Sequence, residues 1–236
     1  MTCPTIYEFA RMADASYITS REPLVPNYTR VSWRSLPSGF KGSRFQLAEK
    51  ASTFCVVAFA GTDFGGENGT DYEDLMADVG FSGVDPGVLH YLSSPLLAMF
   101  LASGKKHLEA QITDALSMTA HAAMVAEGPR NVYVTGHSLG GGLAQIVAAK
   151  LGIKGIAFNA PTVSQLGYDI KPPSNFLSIN QYNDPVSAAT KAIGKHLGVL
   201  KNVNNGTDGM AAHSMTALAK YFGSTGGAIH GNKRPW

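Results

Sequence analysis

Apolar residues recur along this chain in three rhythms. Near the start, Ile6, Phe9, Ala10, Ala13 and Tyr17 fall at helical spacing, which predicts an amphipathic helix. Val31 and Trp33 then alternate with polar residues, residues 36–43 supply Pro and Gly, and Phe45 and Leu47 alternate again, the period-two pattern of an antiparallel hairpin. From Thr53 to Ala60 the run is almost continuously apolar, β-branched or aromatic, as a strand covered on both faces requires.

After the Gly-rich stretch 64–70, Asp71 to Val79 reads as a short helix. Leu96 to Glu127 contains no Pro and carries Leu97, Phe100, Leu101, Leu108, Ile112, Leu116, Met118 and Met124 near helical spacing, with Gly104 as a point of interruption. Val132 to Thr135 reads as a strand, Gly142 to Leu151 as a helix closed by Gly152, and Ile153 to Phe158 and Phe176 to Ile179 as two further strands. A polar loop at 202–209 precedes helical character from Ala211 to Phe222. Strands alternating with helices imply parallel βαβ units. The expected fold class is therefore α/β: a mostly parallel central sheet with an antiparallel N-terminal hairpin and helices on both faces. No repeat or linker divides the chain, so residues 1–236 are expected to form one domain.

Hydrophobic residues make up 44% and charged residues 15%, which excludes a disordered or coiled-coil chain. The net charge is +2 and no Lys/Arg block has the length of a nucleic-acid arm, so no nucleic-acid partner is expected. Glu8 and Asp14 interrupt the stretch where a signal peptide needs an apolar core. No run approaches the roughly 18 apolar residues of a membrane span. The chain thus reads as soluble and signal-less, either cytoplasmic or exported by a signal-independent route. Cys3 and Cys55 are the only cysteines and make no disulfide framework. Near the end, Lys191, Lys195, Lys201, Lys220, Lys233 and Arg234 face only Asp208, an excess suited to a solvated face or to anionic headgroups.

The segment with the strongest chemical content is Gly136-His137-Ser138-Leu139-Gly140, a G-x-S-x-G pentapeptide. Its glycines let a strand turn sharply into a helix and hold a serine hydroxyl above the sheet. With 26 glycines, about 0.2 chance matches are expected in a chain this long, so context decides. Val132 and Val134 supply a strand before it, and Leu143 to Ala149 a helix after it. Ser138 is accordingly the candidate nucleophile, with Gly136 and Gly140 as the glycines that make room for the turn.

The stretch VYVTGHSLGGGLAQIVA resembles the nucleophile region of the class 3, fungal-type lipases. In the same order, VVAFAGTD (56–63) resembles that family's strand-end motif, AFNAP (157–161) its next strand and turn, and QYNDPVS (181–187) the segment carrying its catalytic acid. The resemblance spans about residues 50 to 215 and implies an α/β-hydrolase fold. It also implies serine-dependent hydrolysis of lipid esters, as a triacylglycerol lipase or phospholipase A1, with no metal or organic cofactor. A lipid or other ester at a membrane or lipid interface would be the substrate. One branch it suggests is a secreted antibacterial phospholipase effector with an immunity or delivery partner. A catalytically inactive hydrolase-fold binding protein is the alternative from another class.

A serine hydroxyl needs an imidazole to accept its proton and a carboxylate to orient that imidazole, and in such folds the acid precedes the histidine. The acids after Ser138 are Asp169, Asp184 and Asp208. Asp184 follows the strand FLSINQ directly and is the candidate, although Asn183-Asp184-Pro185 would also make a good turn without catalysis. The histidines are His196, His213 and His230. His213, between the polar loop and the last helix, is the candidate base, and the resemblance implies a histidine near the C-terminus followed by a small residue, here Ser214; His196 is next. Two backbone N–H groups must receive the oxyanion, and Leu139 and Thr62 are the candidates. The resemblance is incomplete, because Ala60 stands where the family usually has Arg, and Leu75 with Asp78 replaces an aromatic-x-x-Asp pair that would brace the oxyanion loop. A lid of the kind the family carries would fall in 64–80 or 81–95.

Overall fold

A computed structural model of the chain describes residues 3–18, 22–48, 54–61, 104–164, 175–191, 194–224 and 235. The expected helix at 71–79, both lid candidates, the start of the long helix, Thr62 and Asp78 lie outside them. The first element, α1 (Ile6–Ala15), begins at a capping box, in which the Thr5 hydroxyl accepts the Glu8 N–H at 3.2 Å and Glu8 Oε2 accepts the Thr5 N–H at 2.7 Å. It buries Ile6, Phe9, Ala10 and Ala13 of the predicted face, and Met12 and Ala15 besides. It also ends earlier than the periodicity suggests, so Tyr17 lies beyond its last turn rather than on it.

Among the described residues, seven strands follow in one sheet whose spatial order is their order in sequence: β1 (Tyr28–Ser35), β2 (Lys41–Leu47), β3 (Cys55–Phe59), β4 (Val132–His137), β5 (Lys154–Phe158), β6 (Phe176–Gln181) and β7 (Val199–Val203). The first three pair antiparallel, and β3 through β7 pair parallel. The expected hairpin is therefore present. A shift of register between Arg30 and Ser32 leaves Val31 and Trp33 on the exposed side, while Tyr28 and Arg30 are buried.

The other α-helices of the described residues are α2 (Gly104–Val125), α3 (Leu139–Leu151), α4 (Pro185–Lys191), α5 (Gly209–His213) and α6 (Met215–Gly223). On one face of the sheet, Leu108, Ile112 and Met118 of α2 and Leu143, Ile146 and Val147 of α3 pack with Val57, Phe59 and Val134. On the other, Phe9 and Met12 of α1 and Leu218 and Phe222 of α6 pack with Val56, Ala58, Ile156 and Phe158. Strand β3 thus sends alternate side chains into two separate cores, which is why its sequence reads as unbroken apolar. No helix among the described residues is long and apolar enough to cross a membrane.

Three elements differ from the sequence reading. Helix α3 starts at Leu139, three residues before the expected Gly142, because Ser138 itself makes the turn. The expected helix from Ala211 to Phe222 is divided at Ser214, whose extended backbone ends α5 and whose hydroxyl caps α6 at Ala217 N. Strand β7 carries four exposed residues of five, Val199 and Leu200 among them, and its last two residues fall in the expected polar loop. Its place at the sheet edge explains the exposure.

Because α1 fills one of the two cores, truncating its largest buried side chain tests whether it is integral. Phe9 is fully buried and edge-on to Tyr133, with ring centroids 5.8 Å apart. Phe9→Ala is expected to lower the unfolding free energy by about 3–5 kcal/mol, measured by urea denaturation. A change below about 1 kcal/mol would mean that α1 is a detachable appendage.

Candidate active site

All the parallel strands end on the same edge of the sheet, and the chemistry-bearing residues collect there: Gly61 after β3, Ser138 after β4, Asn159 after β5 and Asp184 after β6. Ser138 adopts φ 57° and ψ −129°, a left-handed conformation that a non-glycine residue takes only where its surroundings enforce it. Its own N–H is held by Phe158 O at 3.0 Å, and its carbonyl accepts Gly142 N–H at 3.1 Å. With the backbone so engaged, the hydroxyl makes no cap bond to α3 and faces the sheet edge.

The neighbouring glycines make that turn possible. A Cβ on Gly136 would lie 2.2 Å from Gly140 O, and one on Gly140 would lie 2.2 Å from Phe59 O. Gly141 is equally confined, 2.7 Å from the Ala160 methyl.

Asp184 is completely buried and sits immediately before α4. Its Oδ2 accepts Ser187 N–H at 2.9 Å and its Oδ1 accepts Val186 N–H at 3.3 Å, so the carboxylate caps the helix and is fixed in direction by it. The side chain that caps the helix is also the one that faces His213. His213, the last residue of α5, donates from Nδ1 to Asp184 Oδ1 at 2.6 Å, since a carboxylate can only accept. That leaves Nε2 to accept from Ser138 Oγ, 3.0 Å away. Ser138, His213 and Asp184 are 6%, 5% and 0% exposed, dry enough for these bonds to keep their strength. This geometry can move a proton from a hydroxyl to an imidazole and stabilise the resulting charge.

His196, the other histidine weighed as base, is not part of the line. Its Nε2 meets Asn180 Nδ2 at 3.0 Å instead. Asp208 does not reach His213 but accepts from Asn183 Nδ2, which ties the start of α5 to the turn that carries Asp184. Asp169 and His230 lie outside the described residues. Leu139 is the first residue of α3, where N–H groups lack intrahelical acceptors and the helix dipole favours negative charge. Thr62 follows Gly61, and a Cβ on Gly61 would lie 2.8 Å from Ser138 Cβ, so the chain passes tightly beside the serine just before Thr62.

Two residues at this edge escaped the sequence reading. Asn159, with φ 44°, donates from Nδ2 to Ala212 O at 2.8 Å and accepts Gln181 N–H at 2.7 Å, joining α5 to β6. His137 packs against His213 with ring centroids 4.6 Å apart and bonds to the His213 carbonyl. Burial first, and then the neighbouring His213 ring, hold His137 well below the usual histidine range, although its bond to that carbonyl acts the other way. Asn159 stood in the quoted AFNAP turn and His137 in the pentapeptide itself, so position marked both while residue type did not.

Burial also lowers His196 to about 4, with Asp184 opposing the shift and Lys191 adding to it. Unfolding returns both rings to the ordinary value near 6.5. Below that pH the unfolded chain binds protons that the folded one refuses, so stability contributed by neutral burial is present above about 6.5 and is lost as pH falls toward about 4. Thermal melts from pH 7 to pH 4.5 should show this decline, with a shallower one in His196→Gln. Equal slopes would show that His196 is not the group responsible.

Sequence comparison places the site in a family. A sequence profile of the class 3 lipases, described as Lipase (class 3), matches residues 56–187, from β3 to the start of α4, and ends before His213. A search of curated proteins finds no match. Among solved structures, the extracellular lipase LipA from Serratia marcescens is 16% identical with a TM-score of 0.38, over 84% of this chain and 29% of that one. A hyperthermophilic esterase from the archaeon Pyrobaculum calidifontis is 13% identical with a TM-score of 0.35, over 91% and 85%. The thermostable carboxylesterase EstE1, cloned from a metagenomic library, is 13% identical with a TM-score of 0.33, over 92% and 93%. This chain spans less than a third of the Serratia lipase's length. The family profile, in contrast, covers more than half of this chain and takes in both Ser138 and Asp184, and the chain belongs to the class 3 lipase family.

Proposed function

We propose that this chain hydrolyses carboxylic esters of lipids, as a triacylglycerol lipase or phospholipase A1, through an acyl-enzyme on Ser138. Membership of the class 3 lipase family supports ester hydrolysis. The observation that carries the mechanism is the continuous line from Ser138 Oγ to His213 Nε2 at 3.0 Å and from His213 Nδ1 to Asp184 at 2.6 Å.

In this reading Ser138 Oγ attacks the ester carbonyl carbon while His213 Nε2 takes the hydroxyl proton, and Asp184 stabilises the imidazolium. The oxyanion of the tetrahedral intermediate falls to the N–H of Leu139 at the start of α3 and to that of Thr62. Collapse breaks the bond to the alcohol oxygen, which leaves with the proton from His213. Water then repeats the sequence on the acyl-serine and releases the fatty acid. The residues of the site are sufficient for each proton and charge, so the reading includes no metal or organic cofactor.

A cleft of about 610 Å³ opens beside His213, lined by Ile18, Met210, Met215, Arg11 and Asp14 but not by Ser138, so the choice of a lipid ester rests on the family and not on this cleft.

The test is hydrolysis of p-nitrophenyl esters of increasing chain length, triacylglycerol emulsions and phospholipid vesicles, by the wild type and two variants. Ser138→Ala is expected to lose all turnover above background, and Asp184→Asn to lower kcat by about 10³- to 10⁴-fold through misdirection of the His213 tautomer. Turnover on both lipid substrates that does not depend on Ser138, or none at all, would overturn the proposal.

A further inference from the structure

One partly buried network at this edge does no part of the proton transfer. Tyr17, just past the end of α1, accepts the Gly61 N–H on its hydroxyl oxygen at 2.8 Å, and the same hydroxyl lies 2.8 Å from His137 Nδ1. His137 Nε2 lies 2.6 Å from the His213 carbonyl oxygen. A carbonyl can only accept, so Nε2 carries the ring proton and Nδ1 must accept from the tyrosine. The direction of every bond is thereby fixed, running from Gly61 N–H to the Tyr17 hydroxyl, then to His137, then to the His213 main chain.

The two ends of this chain are the two parts of the site that must keep register. Gly61 precedes Thr62, and it has no room for a Cβ, which would lie 2.6 Å from the Tyr17 oxygen and 2.8 Å from His137 O. At the other end, the last carbonyls of the five-residue helix α5 are each held by a side chain, Ala212 O by Asn159 and His213 O by His137. So short a helix has little stiffness of its own. The position of the His213 ring therefore depends on what grips its backbone.

We infer that Tyr17 is a positioning residue for ester hydrolysis, its hydroxyl fixing, through His137, the end of β3 relative to the main chain of His213. The inference rests on the reading of Ser138 as nucleophile. It gives α1 a purpose beyond packing, because the turn that follows this helix delivers the one hydroxyl that both sides share. It also explains why a histidine precedes Ser138, since the position needs a ring that accepts on one side and donates on the other. Burial keeps that ring neutral, the only state in which it does both.

Turnover of p-nitrophenyl butyrate separates this from a packing role. Tyr17→Phe keeps the ring and removes only the hydroxyl, so kcat is expected to fall by about 10- to 100-fold with KM within about twofold, as for a displaced catalytic group. His137→Gln retains a donor for the His213 carbonyl and should keep more activity than His137→Leu, which retains none. Adding Tyr17→Phe to His137→Leu should cost nothing further, because the line is already cut. A kcat for Tyr17→Phe within twofold of wild type, or a change confined to KM, overturns the inference. Should Tyr17→Phe fail to fold, equal rates for His137→Gln and His137→Leu would overturn it instead. If the wild type itself shows no Ser138-dependent turnover, the reading of the site has failed and this inference falls with it; loss of the inference alone leaves that turnover intact.

Discussion

Between β4 and α3 the chain reverses within a few residues, and the space there is so small that a Cβ on Gly136 or Gly140 would overlap a backbone oxygen at 2.2 Å. The turn that gives Ser138 its φ of 57° fits because Gly136 and Gly140, two residues away on either side, lack side chains, and Phe158 O on the adjacent strand holds the Ser138 N–H. The same crowding sets α3 against the ends of β3 and β5, so the fold of the middle of the molecule and the exposure of one hydroxyl are a single constraint. Strain at Ser138 is held by two packed cores, one on each face of the sheet.

Around that point the other groups are fixed by secondary structure that begins or ends there. Asp184 is aimed by its cap of α4, and the carbonyls of α5 that carry His213 are gripped by Asn159 and His137. Side chains that serve a helix terminus are ordered at little further entropic cost, since the helix already restricts them. Each member of the site is accordingly a local structural device as well as a chemical group. That doubling explains how a residue that follows β4, one that precedes α4 and one that ends α5 are joined in line by bonds of 3.0 and 2.6 Å.

Most of this was legible in the amino-acid sequence where composition and position agree. The unbroken apolar run at 53–60 announced a strand buried on both faces, and β3 is one. The glycines around Ser138 marked the turn because only their absence of a side chain fits it. Strand β7 was not legible, because an edge strand with solvent on most of its residues needs no apolar pattern. Tyr17 was assigned to the helical face because its spacing continues the period, whereas the helix stops at Ala15 and the tyrosine turns to the sheet edge. His137 and His213 are the same residue type in one sequence, and only the direction of their hydrogen bonds distinguishes the ring that would move a proton from the ring that holds its neighbour in place.

The central claim is that the strained, buried hydroxyl of Ser138 is a nucleophile made reactive by His213 and Asp184. Mass-spectrometric peptide mapping after treatment with an alkyl fluorophosphonate tests it most directly, because the reagent mimics the tetrahedral intermediate and stays attached to the attacking oxygen. One adduct per chain is expected, on Ser138, formed far more slowly when His213 is replaced by Ala. An unmodified Ser138 in the folded protein, or a rate of labelling indifferent to His213, would contradict it.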